Sequence, residues 1–360
     1  MTLKDLRDKI NQLPDSFDTP LNASGYMRKL THDFMRLLDE LRKDATGVKE
    51  FEHFEGIEDK SAKGIQSFVK KLEERIEDFN SICNACLKPD SKSADWDKLT
   101  GLFIDKSGNI KDKSIMTETI NRGRDFYRIR QTDQKDPYRI YEHKDMYIIP
   151  LELSSKVGIA RFNLSGYPCL YLAESLYLAW EECRRPDFHT ANFTRFKNRK
   201  KLTVLDLTIP EFSKLNSETA LFKAYLSLLC SVKVTDKDKD HWQYRIANLF
   251  TRFGYQQNKQ LDGIKYVSSK RFENKNFRLD YTRECAAYVF LPKDLDASHC
   301  KRLASSFEMT KAYSYFYFKF YGINFNPAKK AATRDYDNTV FAFLERQLQL
   351  KPTCNCEAVI

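Results

Sequence analysis

Three side chains that could do chemistry together, Arg161, Tyr171 and Glu182, lie in the stretch GIARFNLSGYPCLYLAESLYLAWEE at residues 158–182. An ionised carboxylate stabilises the oxocarbenium-like cation that develops when a glycosidic bond breaks. A guanidinium pairs bidentately with pyrophosphate oxygens, and an aromatic ring orients a nicotinamide ring or its ribose by stacking. Together, the three residue types suit cleavage of a bond between nicotinamide and ribose.

An extended segment at 159–163 is predicted to present the first of these side chains. Side chains alternate between the two faces of an extended backbone, so Arg161 and Asn163 share one face while Phe162 anchors the other. Residues 164–168 are rich in turn formers and predict a reversal of the chain. We therefore expect Arg161 and Asn163 to point together toward the site.

A strand and a helix are predicted to present the other two side chains. Residues 169–173 alternate in polarity, with Tyr171 on the face opposite two leucines. Ser175 is the expected N-cap of the helix that follows. Glu182 lies at position i+7 from Ser175 and so on the same helix face. The strand end and the helix face should thus meet Arg161 in one small volume.

This motif resembles the core of the RES domain family. From Arg161 to Glu182 it reads R-F-N-x-x-G-x-P-x-x-Y-L-A-x-S-x-x-x-A-x-x-E, and two further pieces agree in order, FYRI at 126–129 and DGIKYVSS at 262–269. Proteins of this family resemble ADP-ribosyltransferase toxins in fold and act on NAD, which they hydrolyse, phosphorolyse or use to modify a target. The resemblance covers about 125–290 and leaves both ends of the chain unassigned.

The resemblance implies an NAD-consuming enzyme, either a glycohydrolase or a phosphorylase, that acts as a toxin or defence effector. It implies NAD as substrate, no metal, inorganic phosphate as a second substrate if the enzyme is a phosphorylase, and an antitoxin or other inhibitory partner. We also expect a homo-oligomer. The residues implied in catalysis are Glu182, Tyr171 and Arg161, and those implied in NAD binding are Arg128, Arg161, Asn163, Tyr171 and Ser268.

Two other functions stay open at this point. An ADP-ribosyltransferase that modifies a protein or nucleic acid would share the first half of the reaction and differ in the acceptor. A nucleic-acid-binding protein would use the net charge of +10, which arises after residue 100 and is densest at 184–201. A solvated loop leading into a strand at 202–207 is a simpler interpretation of that basic run.

The whole chain of 360 residues is predicted to be α+β. Apolar residues at helical spacing within 30–41 and 65–82 indicate an amphipathic helix pair. We predict an N-terminal helical module at 1–112, a RES-like domain with a split mixed sheet and covering helices at 113–304, and an aromatic-rich, helical C-terminal appendage at 305–360.

Composition favours a soluble cytoplasmic protein. No apolar stretch reaches the length of a membrane span, and the polar start MTLKDLRDKI is unlike a signal peptide. Nine scattered cysteines suit reduced thiols. Cys83 and Cys86 form a CxxC and Cys354 and Cys356 a CxC, but this spacing is poor for zinc, and the histidines show no ligand spacing. We therefore predict no metal site.

Overall fold

The structure is a computed structural model that divides into two compact units. The helical unit comprises Met1–Glu118 and Asp206–Phe253, and the sheet unit comprises Thr119–Leu205 and Gly254–Ile360. The expected domain boundaries at 112 and 304 stay a prediction. The structure describes residues 1–13, 22–88, 90–133, 135–232, 242–257, 259–273, 275–279, 282, 284–293, 300–320 and 336–359.

The described residues contain fourteen α-helices and ten strands, which confirms the mixed α and β class predicted from the sequence. The helices are α1 Leu3–Gln12, α2 Ala23–Lys43, α3 Ala45–Phe51, α4 Ala62–Cys86, α5 Ser93–Phe103, α6 Lys113–Met116, α7 His143–Met146, α8 Leu176–Glu182, α9 Glu218–Cys230, α10 Trp242–Gln256, α11 Lys270–Glu273, α12 Lys301–Ala304, α13 Tyr315–Phe320 and α14 Val340–Gln349. The strands are β1 Thr117–Ile120, β2 Asp125–Gln131, β3 Leu170–Ala173, β4 Ala191–Asn198, β5 Leu202–Leu207, β6 Gly263–Val267, β7 Ala286–Phe290, β8 Phe307–Thr310, β9 Tyr313–Ser314 and β10 Thr353–Asn355.

The helical unit is built on the predicted amphipathic pair, α2 and α4. The apolar stripe of each helix is buried, and side-chain oxygens of Asn22 and Ser61 cap the two helices at their amino ends. Phe79 from α4 packs against Phe222 of α9 and Phe250 of α10, with ring centroids 5.8 and 6.2 Å apart. Aromatic side chains thus form the core that α4, α9 and α10 share.

The ten strands form one sheet in the order β1-β5-β6-β7-β3-β2-β4-β8-β10, with β9 beside β4. β2 pairs antiparallel with β4 along its whole length, β3 lies between β2 and β7, and β6 pairs antiparallel with β7. The centre of the sheet therefore carries both the FYRI strand and the strand of Tyr171. A buried core that includes Phe126, Leu170, Tyr288 and Phe290 packs on this region.

The interpretation of 184–201 as a solvated loop is wrong for its second half, because Ala191–Asn198 is strand β4. Phe193 and Phe196 are fully buried, and Arg195 is also buried, where its Nη1 lies 3.0 Å from Asp125 Oδ1. The apolar residues of β4 are interspersed with charged residues, so the strand was not recognised from the sequence. β4 pairs with β2 and β8. Part of the basic run is therefore structural.

The C-terminal segment contributes strands as well as helices. β8 pairs with β4, and β10 pairs with β8 in an antiparallel register that places Cys354 opposite Met309. The helical character predicted for this segment is confirmed at α14, where Leu344 and Leu348 are fully buried. Residues 321–335 of the predicted aromatic-rich appendage lie outside the described part of the chain.

Candidate active site

A cavity of about 240 Å³ lies in the sheet unit, beside the centre of the sheet. Side chains of β2, β3, β6 and β7 form one part of its wall, and the helix α8 forms the other. Its lining residues are Tyr127, Arg128, Ile129, Tyr171, Leu172, Ala173, Ala179, Glu182, Cys183, Tyr266 and Ala287. Three residues predicted for the site, Arg128, Tyr171 and Glu182, thus share one cavity.

Helix α8 places Glu182 in this wall. Ser175 is its N-cap as predicted, and its hydroxyl accepts from the backbone N–H of Leu178 at 3.2 Å. Ala179 and Glu182 lie one turn apart and both line the cavity. The thiol of Cys183, just beyond the helix, donates to the Ile129 carbonyl at 3.2 Å. This bond ties the carboxyl end of the helix to β2.

Arg128 brings a buried positive charge to the same cavity. Its Nη1 atom is buried and has no hydrogen-bond partner among the described residues. Burial, together with the charge of Arg130, lowers the pKa of Arg128 to about 10, so it stays protonated at neutral pH. Arg130 differs, because it donates to the Asp145 carbonyl and lies over the Tyr141 ring at 4.8 Å.

Two of the three phenols that line the cavity, those of Tyr171 and Tyr266, lie near Glu182. Tyr171 donates from its hydroxyl to the Arg161 carbonyl at 2.5 Å. Burial raises the pKa of Tyr171 and of Tyr266 well above the usual value, and the charge of Glu182 acts in the same direction on both. Both hydroxyls therefore remain protonated and serve as hydrogen-bond donors.

Tyr266 was missed by sequence reasoning, although it lies in the DGIKYVSS piece that carried part of the family resemblance. Every residue of its strand, β6, is buried, so the alternation that marks an inward-facing side chain is absent. The motif piece DGIKYVSS contains strand β6. It gave no signal that Tyr266, rather than the serine two residues later, lines the cavity.

The predicted extended segment at 159–163 is wrong, because the chain makes a tight reversal there. Ala160 and Asn163 form an isolated antiparallel bridge with N···O distances of 3.2 and 3.1 Å. Phe162, between them, has a left-handed φ of 57° and is fully buried, with its ring centroid 4.5 Å from that of Tyr266. The predicted role of Phe162 as the anchor of this segment is confirmed.

The other predicted site residues do not line the cavity. Arg161 is buried, and its charge partly opposes the rise that burial causes in the pKa of Tyr266, so the guanidinium lies near that phenol. Asn163 donates from its amide to the carbonyls of Gly158 and Leu164 at 2.9 and 3.2 Å. Ser268 is fully buried, and its hydroxyl accepts from the N–H of Lys270 at 3.2 Å. Their roles in NAD binding stay predictions.

Three further findings on the described residues concern metal binding, a buried thiol and membrane-spanning helices. No group of three or more His, Cys, Asp and Glu side chains in this part of the chain has an arrangement that would hold a metal ion. Cys83 is buried, and burial raises the pKa of its thiol. Among the described helices, none has the length and apolar character needed to cross a membrane.

Comparisons with known proteins agree with the motif. A family model described as "RES domain" matches residues 125–309. A protein of Bacillus subtilis (strain 168) named "Putative toxin YopC" is 27% identical over 240 residues, which cover 60% of this chain and 52% of that protein. The chain thus spans about half the length of that curated relative. No solved structure matches the chain significantly.

Proposed function

Because this chain belongs to the RES domain family, we propose that it consumes NAD by cleaving the bond between nicotinamide and its ribose, as a glycohydrolase or a phosphorylase. One observation carries the proposal: Glu182, Tyr171 and Arg128 face the same cavity, and the buried Nη1 of Arg128 has no hydrogen-bond partner among the described residues. This combination provides an anion for a developing cation and a cation for an anionic substrate.

Glu182 is proposed to stabilise the ribosyl cation. As the C1′–N bond breaks, its electron pair moves onto the positively charged nicotinamide nitrogen, and nicotinamide leaves as a neutral molecule. The positive charge then lies on the ribosyl C1′ and ring oxygen, where an ionised Glu182 favours the transition state over the ground state. An oxygen of water or phosphate forms the new bond to C1′, and a proton is released.

The cavity is large enough for only part of the dinucleotide. At about 240 Å³ it is smaller than the roughly 300–1,000 Å³ typical of pockets for whole drug-sized ligands. It therefore suits nicotinamide and its ribose, with the pyrophosphate at the mouth. We propose that Tyr171 and Tyr266 orient the nicotinamide ribose, and that Arg128 and Arg161 bind the pyrophosphate. Asn163 would support the loop of Arg161 through its bonds to the carbonyls of Gly158 and Leu164.

The biological role is proposed by similarity. A relative is named as a toxin, and an enzyme that depletes NAD needs restraint in its own host. We propose that this chain is a cytoplasmic toxin or defence effector, that an antitoxin-like partner blocks its cavity, and that it assembles with copies of itself. A macromolecular acceptor has less support, because the basic run invoked for it includes the buried, ion-paired Arg195.

The decisive experiment compares purified wild-type protein with Glu182→Gln and Glu152→Gln. Each is incubated with NAD, with and without phosphate, and the products are separated by chromatography. Wild type is expected to release nicotinamide, and Glu182→Gln to lose at least about 100-fold in rate, since it keeps the shape and removes the charge. Glu152, an exposed glutamate of the same unit, is the matched control.

The second product identifies the acceptor, because ADP-ribose indicates water, whereas ADP-ribose with a phosphate on the same anomeric carbon indicates phosphate. A Glu182→Gln protein with activity within a few-fold of wild type would refute the role of Glu182. Wild-type protein that leaves NAD intact under all of these conditions would refute the proposed function itself.

A further inference from the structure

The amino end of helix α8 is bound by side chains from two distant parts of the chain. Ser175 caps the N–H of Leu178 from within the motif. Glu345 of α14 accepts from the N–H of Leu176 at 2.5 Å through its Oε1 atom. The hydroxyl of Tyr336 accepts from the N–H of Tyr177. Three backbone donors that a helix leaves without an internal partner are thus satisfied by side chains.

The two residues from the C-terminal segment also bind each other. Tyr336 donates from its hydroxyl to Glu345 Oε1 at 2.6 Å, and this oxygen is the one that accepts from Leu176. The carboxylate, the phenol and two backbone N–H groups therefore form one connected network. A negative charge at the amino end of a helix also interacts favourably with the helix dipole.

Aromatic packing joins the same two helices. Phe341, one turn before Glu345 on α14, has its ring centroid 5.2 Å from that of Tyr177 and 5.3 Å from that of Trp180. Phe188 lies 5.5 Å from Phe341 and stacks on Trp180. The outer face of α8 is therefore covered by α14, while Ala179 and Glu182 on another face line the cavity.

Helix α8 has only seven residues, too few to be stable without tertiary contacts. The backbone rises 1.5 Å per residue, so the bonds at Leu176 lie about 9 Å along the axis from Glu182. A shift at the amino end of so short a helix is carried to its other end. A misplacement of about 1 Å at a reacting group is enough to cost on the order of 100-fold in rate.

We propose that Glu345 is a positioning residue, which together with Tyr336 fixes the first turn of α8 and thereby holds Glu182 in the cavity. This inference rests on the proposed function of Glu182. Both residues follow the stretch 125–309 that the family model matches. The catalytic unit of this chain therefore extends to α14, beyond the part that the family match defines.

Several neighbouring groups shift the pKa of the Glu345 carboxyl group. Burial and the charge of Asp125 raise its pKa to about 7, while the bonds from Leu176 and Tyr336 and the charge of Arg346 act in the opposite direction. Tyr127, which lines the cavity, also lies near Glu345: burial raises the pKa of its phenol, and the charge of Glu345 acts in the same direction.

The test uses the full-length chain and four variants: Glu345→Ala, Glu345→Gln, Tyr336→Phe and, as a control on the same helix, Gln347→Ala. Nicotinamide release from NAD gives kcat and KM. Hydrogen–deuterium exchange of the amides at 174–185 reports on α8, and exchange at 191–198 in β4 is the internal reference. Both are measured well below the unfolding temperature of each variant.

Glu345→Ala is expected to lower kcat by about 10- to 100-fold with KM within about threefold, because substrate contacts stay while Glu182 is misplaced. Exchange in α8 should rise at least about tenfold while β4 is unchanged. Glu345→Gln keeps an oxygen that accepts from Leu176 and should stay within about threefold of wild type. Tyr336→Phe should give a smaller loss than Glu345→Ala, and Gln347→Ala none.

The inference is overturned if Glu345→Ala retains kcat within twofold, or if exchange in α8 does not change. It is also overturned if Glu345→Gln loses as much kcat as Glu345→Ala. A wild-type chain that releases no nicotinamide would mean that the proposed function has failed. In that case, exchange in α8 still decides whether Glu345 fixes this helix.

Discussion

At the scale of single residues, Arg128 and Arg130 lie on the same strand but differ in their contacts. Arg130 has the Asp145 carbonyl and the Tyr141 ring as partners. Arg128 is held in the cavity with a buried Nη1 that no described residue contacts by hydrogen bond. A buried charge without a compensating partner destabilises the folded protein. Such groups recur at functional sites, where a ligand of opposite charge can pair with them.

Arg128→Met is therefore expected to stabilise the protein while it weakens substrate binding. Loss of a charged hydrogen bond to pyrophosphate costs about 1.5–3 kcal/mol, which corresponds to a rise in KM for NAD of roughly 10- to 150-fold. Removal of the desolvated charge should raise Tm by a few degrees. Steady-state kinetics and thermal unfolding measure the two effects.

Arg130→Met is the matched control for this substitution. It removes a partnered guanidinium and leaves the Asp145 carbonyl without its donor, so Tm should fall rather than rise. Equal decreases of Tm in both variants would show that the Arg128 charge is compensated in the folded protein.

At the scale of elements, the segment 160–163 forms a reversal although its sequence pattern predicts a strand. The alternation of polar and apolar residues in GIARFN fits a strand, yet Phe162 adopts a left-handed conformation so that its ring packs on Tyr266. Burial of a phenyl ring contributes more than the roughly 1–2 kcal/mol that this backbone conformation costs. The hydroxyl of Tyr171 then fixes the reversal by its bond to Arg161.

The contact between α14 and α8 predicts a pH dependence of stability. The pKa of Glu345 is raised from 4.5 to about 7 in the folded protein, so the folded state binds more protons than the unfolded state between these values. Stability should therefore fall as pH rises through this window, by at most on the order of 3 kcal/mol. Glu345→Gln cannot titrate and should lack this component.

Urea unfolding of wild type and Glu345→Gln at pH 5 and pH 8 measures this effect. The wild-type protein should lose stability relative to the variant between the two conditions. The raised pKa of Glu345 would be contradicted if the difference in free energy of unfolding between the two proteins were the same at both pH values. It would also be contradicted if the wild type gained stability relative to the variant from pH 5 to pH 8.

At the scale of the whole molecule, some of the basic residues form ion pairs within the sheet unit, and others lie exposed on the surface. Arg195 is buried against Asp125 in the middle of the sheet, and Arg185 pairs with Glu181 at 2.8 Å. Lys200 is exposed and donates to the hydroxyl of Ser305 at 2.8 Å. The basic run is thus divided between residues that stabilise the sheet unit and residues that face solvent.

Replacement of Lys197, Arg199, Lys200 and Lys201 together by Gln is expected to leave NAD turnover within a few-fold. A dinucleotide has two phosphates, and the proposed contacts of Arg128 and Arg161 would suffice to bind them. Binding of labelled duplex DNA should be weak, with a shallow salt dependence, since each phosphate contact adds about 0.9 to the slope. Collapse of turnover in a variant with an unchanged circular dichroism spectrum would assign this run to the site.

The sequence by itself determined the mixed α and β class, several of the elements and the family motif. Apolar spacing predicted α2 and α4, and the cap at Ser175 predicted the start of α8. Three motif pieces in order indicated the family and pointed to Arg128, Tyr171 and Glu182. Each of these signals is local, because a helical stripe, a cap or a motif is complete within a few turns of chain.

Only the tertiary structure decided which side chains surround the cavity and what holds them there. Tyr266 reaches the wall from a strand buried on both faces, and Glu345 reaches α8 from the far end of the chain. The same holds for the grouping of Asp206–Phe253 with the N-terminal helices. Contacts between residues far apart in sequence leave no periodic pattern, since their partners are chosen by burial and hydrogen bonding in the folded chain.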